Sequence, residues 1–121
     1  WSETPQEISK MEIWIQQNIF KNIQVTDLAK HFGYSPRTLN RKIKLHLGQS
    51  PKDWMQKIKM ESAKLDLEKN NNSIEDIAFK YGYQDSSSFR KAFFKIVGMT
   101  PKAYQLSRSQ LLKPNSRLNT L

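Results

Sequence analysis

One candidate binding face brings together arginine, asparagine and lysine side chains at helical spacing. Its members are Arg37, Asn40, Arg41 and Lys44. Arginine can form two hydrogen bonds with the edge of a guanine, and asparagine can do the same with an adenine. Charged side chains at this spacing also form ordinary solvated helix faces, so exposure without a ligand is the alternative. The chemistry that these residue types allow is hydrogen bonding to nucleic-acid bases.

A second candidate face of the same kind follows about fifty residues later. Its members are Ser86, Ser87, Arg90 and Lys91. Serine discriminates between bases less well than arginine or asparagine, so this set contains fewer base-reading types. We therefore expect Arg90 and Lys91 to act partly on phosphate groups, which position a protein on nucleic acid without reading its sequence.

Both faces lie in copies of one repeated pattern. Asp27-Leu28-Ala29 precedes Phe32-Gly33-Tyr34 by the interval that separates Asp76-Ile77-Ala78 from Tyr81-Gly82-Tyr83. One residue inserted after Tyr83 extends the alignment, and all four glycines of the chain then fall into pairs. The pairs are Gly33 with Gly82 and Gly48 with Gly98. The repeat predicts two copies of one supersecondary unit.

Each copy predicts a short helix, a tight turn at a glycine and a longer helix. In the second copy Ser73 has the position of an N-cap, and Gly82 follows the helix where a left-handed backbone conformation is needed. In the first copy we expect Thr26 to cap the short helix and Ser35 to cap the longer one, with Pro36 at its first helical position. This order of elements is the helix-turn-helix pattern.

A specific order of residue types runs through the second copy. It consists of Ile77-Ala78, Tyr81-Gly82-Tyr83, Ser88-Phe89, Phe93, Gly98-Met99-Thr100-Pro101 and Tyr104. This order resembles the signature of the AraC/XylS family of bacterial transcription regulators, and the resemblance covers roughly residues 8–104. It implies an all-α fold of about seven helices, in which two helix-turn-helix subdomains are joined by a long linker helix. It also implies sequence-specific binding of double-stranded DNA.

The resemblance implies that the two longer helices, at about residues 36–47 and 86–97, enter successive major-groove segments. In the first unit it places base contacts at Pro36, Arg37, Asn40 and Arg41. In the second unit the expected base contacts are Ser86, Ser87, Arg90 and Lys91. Phosphate contacts are expected at Val25, Thr26, Lys44, Ser73, Ile74 and Lys95.

The repeat and the resemblance together suggest how the chain is divided. We expect a first subdomain at residues 1–51, a linker helix at 52–69, a second subdomain at 70–109 and a loose tail at 110–121. Thr4 is expected to cap the first helix, with Pro5 at its first position. The apolar side chains of the linker helix are Trp54, Ile58, Ala63, Leu65 and Leu67.

Composition favours a polyanionic partner. The chain has 121 residues, a formal net charge of +9 and a sequence pI of about 9.9, which favours nucleic acid over a membrane surface. It contains no cysteine, which excludes disulfides, thiolate metal sites and cysteine nucleophiles and suits a reducing cytoplasm. His31 and His46 are the only histidines and have no patterned carboxylates near them, so we expect no metal site and no cofactor.

Other classes of function explain less of the sequence. An RNA-binding module would account for the charge only, and a helical-repeat scaffold would not hold unlike helices in this order. An enzyme would need a nucleophile, a metal cluster or a phosphate-binding loop, and the sequence offers no candidate for any of them. The resemblance implies two further partners, RNA polymerase and a separate effector or oligomerisation domain on the N-terminal side. It also implies a cytoplasmic location at the nucleoid.

Overall fold

The computed structural model describes residues 3–69 and 72–112, and describes side chains for residues 6–69 and 72–108. Its elements are α1 (Glu3–Gln17), α2 (Val25–Phe32), α3 (Pro36–Leu47), α4 (Pro51–Lys69), α5 (Ile74–Lys80), α6 (Ser86–Val97) and α7 (Pro101–Leu112). Within the described ranges every regular element is a helix. The predicted all-α fold of about seven helices is confirmed.

The chain forms two compact units, and their boundary lies within α4. Unit 1 comprises Trp1–Lys59 and unit 2 comprises Met60–Leu121. Unit 1 contains α1, α2 and α3, whereas unit 2 contains α5, α6 and α7. Each unit therefore has a short helix followed by a longer one, which are the two elements of a helix-turn-helix.

Unit 1 buries one apolar stripe from each of its helices. Its most deeply buried side chains are Met11, Ile15, Leu28, Ala29, Leu39 and Ile43. Leu39 and Ile43 lie four residues apart on α3, so they occupy one face and leave the opposite face to solvent. Trp14 of α1 is half-buried and stacks on His31 of α2, with 4.7 Å between ring centroids. Trp14 thus packs between α1 and α2.

The core of unit 2 is built around aromatic rings. The ring centroid of Phe93 lies 5.8 Å from that of Phe89 and 5.9 Å from that of Tyr104. Phe89 and Phe93 are completely buried, and burial of such a side chain stabilises a fold by roughly 1.5 to 3 kcal/mol. This aromatic packing fixes the inner face of α6.

Both helix-turn-helix turns have the same geometry at their glycine. Gly82 has a φ of 88°, and its N–H donates to Phe79 O at 3.0 Å while Tyr83 N–H donates to Ala78 O at 3.0 Å. Gly33 has a φ of 79°, and the N–H of the following Tyr34 donates to the carbonyl of a residue in α2 in the same way. These paired hydrogen bonds are a Schellman motif, which ends a helix at a left-handed residue. The predicted turns are confirmed.

Two of the four predicted N-caps are confirmed, those at Ser35 and Ser73. Ser35 Oγ accepts a hydrogen bond from Thr38 N–H at 3.2 Å, and Ser73 Oγ accepts one from Asp76 N–H at 3.0 Å. Asp85 Oδ1 accepts one from Ser88 N–H at 2.7 Å and so caps α6. Because the side-chain oxygens satisfy backbone donors that have no partner inside the helix, they fix where α3, α5 and α6 begin.

The prediction that Thr26 caps α2 is wrong. The helix begins at Val25, and its N-cap is Gln24, two residues before Thr26. Gln24 N–H donates to the carboxylate of Asp27 at 2.7 Å, which is one half of a capping box. Since Thr26 lies within the first turn, its hydroxyl has no helix end to cap.

Helix boundaries at both ends of the chain differ from the predictions. α1 begins at Glu3, so Thr4 is its second residue and not its N-cap, although the side chains of residues 3–5 lie outside those described. α7 extends to Leu112, so residues 110–112 of the predicted loose tail are helical. The rest of that tail, residues 113–121, lies outside the described residues, as do Asn70 and Asn71.

A buried polar cluster fixes the end of α5 against α4 in unit 2. Asp66 of α4 is buried and accepts a hydrogen bond from the Tyr81 hydroxyl at 2.5 Å. Lys80 Nζ lies 3.2 Å from the same carboxylate, and the Tyr81 hydroxyl is 2.8 Å from Ser62 Oγ. Burial, followed by the hydrogen bond to Asp66, raises the pKa of Tyr81 well above its usual range. The cluster positions the turn that precedes α6.

Unit 1 has a related cluster between α1 and α3. The Tyr34 hydroxyl donates a hydrogen bond to the Glu7 carboxylate, and Lys42 Nζ of α3 lies 3.3 Å from Glu7. The hydrogen bond from Tyr34 is the main cause that lowers the pKa of Glu7 below its usual value. Glu7 of α1 thereby contacts both the turn and the longer helix that follows it.

Candidate nucleic-acid interface

The outer surface of α3 carries what we name the first reading face. It consists of Pro36, Arg37, Asn40, Arg41 and Lys44, all of which are exposed. The structure therefore brings together every base contact predicted for the first unit, and it places Lys44 one turn beyond them. Because the inner side of α3 is held by buried Leu39 and Ile43, the reading face has a fixed orientation within unit 1.

The side chains of the first reading face are available to a ligand. Among the described residues, Arg37, Asn40 and Arg41 form no side-chain hydrogen bond or ion pair with one another or with a neighbour. α3 contains no acidic residue, so no carboxylate on the same helix competes for their donors. An arginine or asparagine presented in this way at the start of a capped helix can bond to a base edge in the major groove.

The outer surface of α6 carries the second reading face. It consists of Ser86, Ser87, Arg90, Lys91 and Lys95, of which Ser86 is half-buried and the others are exposed. α6 also lacks acidic residues, and its N-cap is Asp85. Unlike the arginines of α3, Arg90 is already engaged. Its Nη1 donates to Ser86 Oγ at 2.9 Å, and its Nη2 lies 3.3 Å from Glu75 Oε2 of α5.

The phosphate contacts predicted at the short helices lie at helix N-termini. Val25 and Thr26 begin α2, whereas Ser73 caps α5 and Ile74 is its first residue. Thr26 and Ser73 are exposed, and the two apolar side chains are half-buried. Backbone N–H groups at such positions attract anions. The first turns also contain acidic side chains, namely Asp27 in α2 and Glu75 and Asp76 in α5.

The sequence did not indicate that Glu75 of α5 contacts Arg90 of the second reading face. Glu75 and Arg90 are 15 residues apart and belong to different helices, so no helical spacing relates them. The sequence shows that α5 carries a glutamate and α6 an arginine. It does not show that these two side chains meet, because their contact depends on how the two helices pack.

The described residues contain neither a metal-binding cluster nor a membrane-spanning helix. Over residues 3–69 and 72–112, there is no group of three or more histidine, cysteine, aspartate or glutamate side chains that could hold a metal ion. None of the helices described there is long and apolar enough to cross a membrane.

Comparison with known proteins relates this chain to transcription regulators. Residues 28–107 match a family described as a helix-turn-helix domain. The transcriptional activator AarP of Providencia stuartii is 30% identical over 100 residues, which cover 83% of this chain and 74% of AarP. The chain spans only 34% and 13% of the lengths of two further regulators that it matches.

Solved structures share the fold. An AraC-type regulator from Chromobacterium violaceum has a TM-score of 0.82 at 22% identity, covering 91% of this chain and 98% of that one. The DNA-binding domain of AdpA, solved in complex with a target DNA, has a TM-score of 0.77 at 22% identity, covering 89% of this chain and 96% of AdpA's. The chain belongs to the AraC/XylS family of helix-turn-helix transcription regulators.

Proposed function

We propose that the chain performs the sequence-specific DNA binding of its family by placing α3 and α6 in successive major-groove segments of one duplex. The observation that carries the proposal is the first reading face, where Arg37, Asn40 and Arg41 are exposed on a capped helix and have no partner among the described residues. Helix-turn-helix proteins insert the N-terminal part of the second helix into the major groove. The formal net charge of +9 adds attraction to the phosphate backbone.

The two reading faces divide the work between them in this proposal. Asn40 and Arg41 read base edges from α3, since both types can bond bidentately to a base. Lys44 on α3 and Lys91 and Lys95 on α6 contact phosphate, where a lysine acts as a point charge. Arg90 reads a base from α6 under the constraint of its two protein partners. The N-termini of α2 and α5 contribute phosphate contacts through backbone N–H groups.

α4 acts in this proposal as the spacer between the two reading faces. It is one uninterrupted helix of 19 residues, and the boundary between the units falls inside it. A helix of this length spans roughly 28 Å, because each residue adds 1.5 Å. Once the first reading face is bound, the spacer raises the effective concentration of the second reading face near its own groove. The affinity for the complete site then exceeds that of either face alone, provided that the spacer holds the second face at that groove.

The wider role follows from the family. As part of a transcription regulator, the chain is proposed to act without enzymatic activity, in the cytoplasm where the bacterial chromosome lies. We propose that the DNA-bound protein contacts RNA polymerase. We also propose that a further domain, which binds an effector or oligomerises, regulates this activity. Membership of a family of transcriptional regulators supports both.

Footprinting on a duplex selected for tight binding tests the two-groove proposal. We expect one chain to protect two major-groove segments about one helical turn apart on the same side of the duplex. Affinity should fall steeply as salt rises, because bound lysines and arginines release counterions from the DNA. Protection of a single groove, or a need for two chains on a palindrome, would exclude the proposal. Equal competition by single-stranded RNA would favour an RNA-binding function instead.

Arg41→Ala is expected to weaken binding to the selected site by about 1 to 3 kcal/mol and to relax the base preference at one position. Its guanidinium is exposed on the first reading face and is bound to none of the described residues, so a base contact is the interaction that the substitution removes. The measurement is affinity for duplexes that carry each base at each position. Lys44→Ala on the same helix is the control, and it should weaken selected and random duplexes alike. An equal loss on both duplexes for Arg41→Ala would make Arg41 a phosphate contact.

A further inference from the structure

We infer that Glu75 of α5 is a positioning residue that determines specificity, because it orients the base-reading arginine of α6. The inference rests on the proposed function and concerns only the second reading face. Glu75 belongs to the short helix of unit 2 and is not among the residues expected to contact DNA. Its carboxylate nevertheless meets Arg90, which is one of the expected base contacts.

Two contacts hold the Arg90 guanidinium from different helices. Nη2 lies 3.3 Å from Glu75 Oε2 of α5, and Nη1 donates to Ser86 Oγ of α6 at 2.9 Å. A guanidinium has five N–H donors in a fixed plane, so two contacts leave three donors for a ligand. Since the plane is fixed at two corners, those remaining donors have a defined direction. An arginine held in this way loses less side-chain entropy when it forms a bidentate bond with a base.

Stability does not account for the Glu75–Arg90 pair. Both side chains are largely exposed, with 58% of Glu75 and 45% of Arg90 accessible, and exposed ion pairs contribute little to folding. A carboxylate beside a DNA-binding face also repels phosphate. Glu75 should therefore weaken binding to DNA in general, while Arg90, once oriented, strengthens binding to the selected site. Its net effect is greater discrimination between sequences.

The first reading face supplies the contrast. Arg37 and Arg41 have no described protein partner, so their side chains must be ordered by the DNA itself. Arg90 is ordered before binding, by two partners. This difference assigns a distinct role to the second face, which contains fewer base-reading types and depends on the orientation of one arginine.

The test compares Glu75→Ala, Glu75→Gln and the matched control Glu61→Ala, using affinities for the selected duplex and for a random duplex. Glu61 pairs with Lys64 at 3.3 Å and is also 58% exposed, but it lies on α4 and not beside a reading face. Glu75→Ala should lower the ratio of selected to random affinity about 3- to 10-fold, as expected for loss of preorganisation in one long side chain. Its affinity for the random duplex should rise. Glu61→Ala should leave the ratio unchanged.

Glu75→Gln and an Arg90→Ala background separate the effect of orientation from that of charge. Glu75→Gln keeps an oxygen that can accept from Arg90 but removes the charge, so it should raise random-duplex affinity as Glu75→Ala does and retain more of the ratio. In an Arg90→Ala background, Glu75→Ala should no longer change the ratio. Thermal unfolding should show that all of these proteins fold.

The outcomes separate this inference from the proposed function. If the wild-type chain prefers the selected duplex and Glu75→Ala leaves or increases that preference, the positioning role of Glu75 is wrong and the proposed function stands. If the ratio falls equally in Glu61→Ala, the effect is one of net charge and the inference fails. If the wild-type chain shows no preference for any duplex, the proposed function fails and the inference fails with it.

Discussion

A protein with one extra alanine between Lys59 and Met60 is expected to keep the affinity of each reading face for its own half-site and to lose the gain from binding both. One added residue turns the remainder of α4 by about 100° and lengthens it by about 1.5 Å. The insertion falls at the boundary between the units, so each unit keeps its own part of α4. The second reading face should then miss its groove. The gain from linked binding is typically 100-fold or more, and the affinity for the complete site should fall by about that factor.

The measurement uses three duplexes, which carry both half-sites, the first only or the second only. Lys59→Ala is the control, since it changes the same place in the helix without changing its length. NMR spectra should show that both units of the inserted protein retain their folds. If the inserted protein still distinguishes the complete site from either half-site as well as the wild type does, α4 is a passive tether and the spacer role is wrong.

Gly82→Val is expected to destabilise unit 2 by about 2 to 3 kcal/mol, because a β-branched side chain is strained at positive φ. Gly82 has a φ of 88° and forms the Schellman turn between α5 and α6. A Cβ atom built at Gly82 meets no other atom within 4 Å, so the cost comes from the backbone and not from a clash with neighbours. Calorimetry or denaturant unfolding, with signals assigned to unit 2, would measure the loss.

Gly82→Asn provides the comparison for this prediction. Asparagine tolerates the left-handed region better than valine does, and the open space around position 82 accepts its side chain. We therefore expect Gly82→Asn to cost less stability than Gly82→Val. Equal losses from the two substitutions would mean that side-chain size, and not backbone conformation, limits this position.

Much of the local structure could be predicted because it depends on residues that are close in sequence. The turns at Gly33 and Gly82 follow from the residue that best tolerates positive φ, and the starts of α3 and α5 follow from Ser35 and Ser73. Thr26 failed as a cap for the same local reason, since Gln24, two residues earlier, is the N-cap and its N–H donates to the Asp27 carboxylate. Helical spacing alone also placed Arg37, Asn40, Arg41 and Lys44 on the exposed side of α3.

Burial in α4 was harder to predict, because helical spacing does not tell which apolar side chains meet a neighbour. Leu65 is 60% exposed, although it counted among the apolar side chains of the linker helix. Met55 and Met60 are buried instead. α4 contributes to two units in turn, so the face that it buries is set by different neighbouring helices along its length, and no single stripe describes it.

The polar contacts that position the second reading face depend on tertiary structure. Asp66 and Tyr81 are 15 residues apart, and so are Glu75 and Arg90. The members of each pair belong to different elements, so the spacing of residues within one helix cannot bring them together. The pairs form only when α5 packs against α4 and α6. Composition gives the net charge of the chain, but it does not show which carboxylates form hydrogen bonds or ion pairs within the protein.

The absence of acidic residues from α3 and α6 has a consequence for how the protein finds its site. Where a helix carries only neutral and basic side chains, its attraction to the phosphate backbone is almost the same at every base pair. A chain held by such a uniform field can move along DNA between encounters with matching bases, and its search is confined to one dimension for part of the time. We therefore expect α3 and α6, if they recognise the site as proposed, also to shorten the search for it.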